Sequence, residues 1–147
     1  MGQYEKAIED YGISIQLDSQ DAGTYNNRGL ASSMLGYYEQ SIQDFGEAIR
    51  LDPKYAAAYF NKGISYRFLG QYEQSMEDFD RAISLDPQDA RAYYNRAYLY
   101  DELGQYEQAV EDLDTAIRLN PLYIQAYYNR GMGYTELGQY EQSIKDY

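Results

Sequence analysis

Apolar positions along the chain follow a helical rather than a strand period. Tyr72, Met76, Phe79 and Ile83 lie on one helical face, as do Tyr59, Gly63, Tyr66 and Leu69 in the preceding segment, because residues three and four apart project from the same side of a helix. No segment alternates apolar and polar residues as a half-buried strand would. The pattern also repeats. A shift of 34 residues superposes Gly2-Gln3-Tyr4-Glu5 on Gly36-Tyr37-Tyr38-Glu39, Gly70-Gln71-Tyr72-Glu73, Gly104-Gln105-Tyr106-Glu107 and Gly138-Gln139-Tyr140-Glu141. The same shift superposes Leu17-Asp18-Ser19, Leu51-Asp52-Pro53, Leu85-Asp86-Pro87 and Leu119-Asn120-Pro121.

These two marks divide each unit into two helices. Glycine suits the left-handed residue just past a helix end, and the residue before proline is pushed out of the helical region. Helices termed A are predicted at 22–35, 56–69, 90–103 and 124–137, and helices termed B at 3–17, 38–51, 72–85, 106–119 and from 140 onward. Small residues on helix B (Ser41, Ser75 and Ala109; Ala48, Ala82 and Ala116) let it approach its helix A closely, with aromatic rings filling the remaining space.

The unit carrying these residues resembles the tetratricopeptide repeat. One copy reads Tyr59, Gly63, Tyr66, Ser75, Phe79, Ala82, Pro87 and the next Tyr93, Ala97, Tyr100, Ala109, Leu113, Ala116, Pro121. The resemblance covers the whole chain. It implies an all-α fold, a right-handed superhelical solenoid of antiparallel helix pairs, whose helices A line a concave groove. The expected organisation is a single domain over 1–147: a partial repeat 1–21, full repeats 22–55, 56–89 and 90–123, and a partial repeat 124–147.

Some positions depart from the family pattern. The leucine expected before the helix-A glycine is basic in every unit (Arg28, Lys62, Arg96, Arg130), and an aspartate recurs in step on helix B at Asp10, Asp44, Asp78, Asp112 and Asp146. Each cation is expected to lay its stem in the seam between the helices and to meet an aspartate there. Ser32 stands where tyrosine is usual, Ala97 where glycine is, and Ser19 where proline is, so the first full unit is expected to pack more loosely.

Composition narrows the function. With 12 basic and 24 acidic residues the net charge is −12, which repels phosphate backbones and anionic lipid, so neither nucleic acid nor membrane is an expected partner. The chain has no cysteine and no histidine, which removes thiolate and imidazole chemistry. No enzyme activity, metal or cofactor is expected. A cytoplasmic location is expected, because the start of the chain, Met-Gly-Gln-Tyr-Glu, lacks a basic and apolar leader. Asp18, Asp21 and Gly23 briefly suggest a calcium loop, but Gln20 and Ala22 occupy the alternate ligand positions. The glutamates after each helix-B tyrosine sit in first turns, where the helix dipole favours negative charge.

The candidate site is the exposed face of helices A. Asn27, Asn61, Asn95 and Asn129 recur two residues before the glycine position. An amide offers a donor and an acceptor, which suits the main chain of an extended peptide. The row resembles the asparagine ladder of O-linked N-acetylglucosamine transferases, which implies a peptide-backbone clamp; alternatively the amides bond one another or neighbouring helix ends. Beside them run Asn26, Phe60, Tyr94, Tyr128 and then Leu30, Ile64, Tyr98, Met132, extended by Met34 and Phe68. Arg67 and Arg91 lie along one part of this face and Asp101, Glu102 and Glu136 along another, which suits a ligand with an acidic portion followed by a basic one. The carboxylate clamp of chaperone-binding repeats does not fit: its first pair would be Asn26 and Leu30 and its last Arg91 and Asn95, and only Asn61 and Arg91 agree.

Two functions emerge. The first is a protein-interaction scaffold holding a protein or peptide segment in the groove. The second is a self-assembling module: residues 2–11, GQYEKAIEDY, imitate 138–147, GQYEQSIKDY, so a neighbour's first helix could dock in place of the last and build a homo-oligomer.

Overall fold

The computed structural model describes residues 2–146. It is helical throughout those residues, with α1 (Gly2–Leu17), α2 (Ala22–Met34), α3 (Tyr38–Leu51), α4 (Ala56–Phe68), α5 (Tyr72–Leu85), α6 (Ala90–Glu102), α7 (Tyr106–Leu119), α8 (Ile124–Glu136) and α9 (Tyr140–Asp146). Each predicted helix is present with ends within about a residue of expectation. The odd-numbered helices are the predicted helices B and the even-numbered ones the helices A. Met1 and Tyr147, which the expected repeats include, lie outside the described residues.

Both punctuation marks work as their chemistry requires. At the end of α4, Gly70 takes φ 71°, its N–H bonds Arg67 O at 3.0 Å, and the Gln71 N–H bonds Tyr66 O at 3.0 Å. This paired closure satisfies two carbonyls that the helix leaves open. After α3, Asp52 is extended with ψ 94° ahead of Pro53, and its side chain accepts the Lys54 N–H at 2.9 Å. Asn120 accepts the Leu122 N–H at 3.2 Å in the same way, which is why asparagine can stand for aspartate there. Asp21 and Asp89 cap α2 and α6 by accepting from Gly23 N and Arg91 N.

The chain divides into two compact units, one ending at Leu85 and one beginning at Asp86. In the first, α1 to α5 pack in chain order, and α2 also touches α4. Phe45 and Phe79 are fully buried, each over a glycine of the paired helix A, Gly29 and Gly63 respectively. Ser75 Oγ donates to Gly63 O at 2.7 Å, a contact that only a small side chain permits. Ser41 Oγ meets Ser65 Oγ at 2.8 Å where α3 packs on α4. In the second unit α7 packs on both α6 and α8, and α8 on α9, around a core of Ala97, Ala109, Leu113, Ala116 and Ala126.

The recurrent cations occupy the seams, as the spacing anticipated. Arg28 Nε donates to Asp44 at 2.9 Å, Lys62 Nζ meets Asp78 at 3.0 Å, and Arg96 makes two bonds of 2.7 Å to Asp112. Arg130 pairs with Asp146 and also donates to Asp114 at 2.6 Å. Tyrosine rings flank them: Tyr59 and Tyr66 at Lys62, Tyr93 and Tyr100 at Arg96, Tyr127 and Tyr134 at Arg130. A cation over an aromatic face recovers part of the hydration that it loses on burial. At Arg28, Tyr25 supplies one ring and Ser32 stands where the second would be. Ser32 is fully buried and its hydroxyl has no hydrogen-bond partner among the described residues, a packing defect in the unit that the sequence marked as irregular.

Candidate functional site

The asparagine row is not uniform once folded. Asn27 is exposed, Asn61 and Asn129 are half-buried, and Asn95 is buried. Asn61 Nδ2 donates to Asn26 Oδ1 at 3.0 Å, across α2 and α4. Asn129 Nδ2 donates to the Tyr94 hydroxyl at 3.2 Å, across α6 and α8. Asn95 Nδ2 instead turns back along its own helix to Arg91 O at 2.8 Å. Two amides thus tie neighbouring helices A together through Asn26 and Tyr94 rather than through one another, and each amide also keeps hydrogen-bonding capacity beyond the bond described.

The neighbouring row divides by repeat. Asn26 is 4% exposed and serves as the acceptor for Asn61. Phe60 packs against Phe79 with ring centroids 5.9 Å apart, and Tyr94 against Tyr123 at 4.8 Å, so both rings contribute to packing as well as to the surface. Tyr128 is largely exposed. Further along helices A, Leu30, Met34 and Phe68 are exposed in the first unit and Met132 in the second, while Ile64 and Tyr98 are half-buried. One face of the Phe68 ring stacks on Tyr38 at 4.9 Å, and the Arg67 guanidinium lies 5.0 Å from the centroid of the same ring.

The charges on α6 fall into two groups. Arg91 folds back on the cap residue Asp89 with a contact of 2.7 Å; hydrogen bonding to that carboxylate raises the guanidinium pKa. On the same helix Asp101 is held above the usual carboxylate range, first by burial and then by the charges of Glu102 and Glu136. A pocket of about 230 Å³ opens here, lined by Ala97, Tyr98, Asp101, Glu102, Leu113, Asn129 and Met132. Of these, Tyr98, Asn129 and Met132 are candidate site residues on sequence grounds, and the sequence puts the two acids on the same face. Ala97 and Leu113 stand in the sequence only as repeat positions. Their signal lay in a joint departure: Leu113 is shorter than the phenylalanines at the equivalent Phe45 and Phe79.

Among the described residues, no group of carboxylates is arranged to hold a metal ion, and no helix is long and apolar enough to cross a membrane.

Models of the TPR repeat match residues 1–36, 34–67 and 63–104, and models of the tetratricopeptide repeat match 90–123 and 124–147. No curated protein matches the chain. Among solved structures the chain is similar to MamA, at TM-score 0.92 and 26% identity over 99% of this chain and 85% of that one. A MamA fragment from Desulfovibrio magneticus RS-1 matches at TM-score 0.90 and 23% identity, covering 99% and 82% of the two chains. YrrB, described as a TPR protein with an unusual peptide-binding site, matches at TM-score 0.81 and 21% identity, covering 99% and 75%. With its 34-residue period, its glycine-closed helix pairs and repeat models matching from end to end, the chain belongs to the tetratricopeptide repeat family.

Proposed function

We propose that the chain is a protein-interaction scaffold that binds an extended peptide or partner segment along the face of helices A, without catalysis. Tetratricopeptide proteins are in general non-enzymatic scaffolds, and YrrB is a relative in fold described as having a peptide-binding site. The observation that carries the reading is the side-by-side placement of amides and uncovered apolar groups on this face. Asn27 is exposed next to Leu30 and Met34, which are 39% and 64% exposed. Asn129 lies next to Tyr128 and Met132, which are 56% and 43% exposed. Apolar groups supply contact area and amides fix the main chain, a division of labour suited to extended peptides.

The test is a peptide-display screen on the full chain, repeated with Asn27→Ala/Asn61→Ala and with Asn129→Ala. Binding of extended peptides that weakens in both variants is the expected result. Peptides that bind all three proteins equally would remove the asparagine face from the site.

A second reading, self-assembly, has its own observation: α1 has no buried residue, with Ile13 and Leu17 57% and 85% exposed, and Ile144 of α9 is 75% exposed. Light scattering over a concentration series checks it, and a strict monomer at high concentration ends it.

A further inference from the structure

The pocket in the second unit has a definite chemistry. Ala97 and Leu113, 1% and 3% exposed, are its buried lining residues; Tyr98 and Met132 add apolar surface, and Asp101 and Glu102 add carboxylates. Glu136 lies close enough for its charge to act on Asp101. None of the three acids makes an ion pair among the described residues. Asn129 donates to Tyr94, and no hydrogen bond to its Oδ1 occurs among the described residues. The site thus gathers carboxylate and amide oxygens, all of them acceptors, beside apolar surface.

An anionic group would meet three carboxylates there. A purely apolar group would desolvate Asp101 further while supplying no hydrogen bond, which is the costly arrangement for a partly buried acid. A cation on a long aliphatic stem meets both demands: its methylene groups lie against Met132, Tyr98 and Leu113, while its head donates to Asp101, Glu102 and Asn129. The space accommodates one side chain, well short of a pocket for a whole small molecule. The equivalent positions on α2 and α4 of the first unit offer no carboxylates, because Asp101, Glu102 and Glu136 correspond there to Ser33, Met34 and Phe68.

We infer that this pocket between α6 and α8 receives a lysine or arginine side chain of the bound partner. The inference rests on the peptide-binding reading above and gives that ligand its chemistry.

The test uses the full chain labelled with 15N and titrated with Nα-acetyl-lysine N-methylamide, its arginine counterpart and its norleucine counterpart. Saturable amide shifts confined to residues 97–102 and 129–136 are expected with the two cations and not with norleucine. In Asp101→Asn/Glu102→Gln, the affinity for the cations is expected to fall about tenfold or more; both residues are on a helix surface, and circular dichroism verifies that the variant is folded. Norleucine shifts equal to those of lysine, no localised shift at all, or shifts indifferent to the double substitution would each overturn the inference.

A second arm separates this inference from the groove reading. Replacing each lysine and arginine of the display-selected peptides by norleucine should weaken them by a similar factor. If those peptides bind undiminished, the pocket assignment fails and the groove stands. If no peptide is selected yet the lysine compound binds at the pocket, the groove reading fails and the cation site stands.

Discussion

A methyl group placed on Gly63 would stand 2.9 Å from Cε1 of Phe79, and one placed on Gly29 would stand 2.7 Å from Cε1 of Phe45. Both are closer than carbon atoms pack, so the fully buried rings are admitted only because glycine faces them. In the next repeat both partners differ: Ala97 carries the methyl group and Leu113 replaces the ring, and both are buried in one cluster. Gly63→Ala is therefore expected to cost about 1–3 kcal/mol through overpacking, and Gly63→Ala/Phe79→Leu to recover much of it. Urea denaturation of the two variants and of Phe79→Leu checks this; strictly additive losses would show that the pair is not coupled.

Lysine at Lys62 leaves Asp78 half-satisfied. Its Nζ reaches Oδ1 at 3.0 Å, whereas Oδ2 is buried with no hydrogen-bond partner among the described residues. Burial pushes the Asp78 pKa from an ordinary 3.8 up to about 6, although Lys62 acts to lower it. Protonation is thus easier in the folded chain than in the unfolded one. This site contributes most below pH 3.8, and its contribution is lost as pH rises through about 6. Lys62→Arg, whose fork can reach both oxygens as Arg96 does on Asp112, should stabilise the chain more at pH 7 than at pH 4.5. Denaturation curves at the two pH values decide it, and an equal gain at both would refute the account.

The Arg28–Asp44 pair tests what a seam ion pair is worth. Asp44 is 4% exposed, so removing its cation strands a buried charge. Arg28→Met is expected to cost about 3 kcal/mol, and Arg28→Met/Asp44→Leu distinctly less, because the second change removes the stranded carboxylate. A double variant as unstable as the sum of both single ones would mean that the pair is not coupled.

Ser32 offers the opposite case. Its buried hydroxyl gains nothing from its surroundings, so Ser32→Ala should raise stability by about 1 kcal/mol. A loss of that size in a thermal melt would reveal a partner for the hydroxyl.

The repeat period, every helix and the ion pairs of the seams were legible in the sequence because each depends on local spacing. Glycine and Asp-Pro steps end helices wherever they stand, and residues sixteen apart, such as Arg96 and Asp112, meet whenever two such helices fold back on each other. The face of helices A was legible only as a set of positions. Asn27, Asn61, Asn95 and Asn129 occupy one place in the repeat, yet their hydrogen bonds depend on what the adjacent helix presents: Asn26 for Asn61 and the Tyr94 hydroxyl for Asn129. Asn95 finds its acceptor within its own helix. Likewise the acids of the second unit could be placed on a face from their spacing. That Asp101 and Glu102 share a pocket with Leu113, Asn129 and Met132 was decided only by tertiary packing, because a cavity is set by the volumes that neighbouring helices leave unfilled, and the sequence of one helix does not contain them.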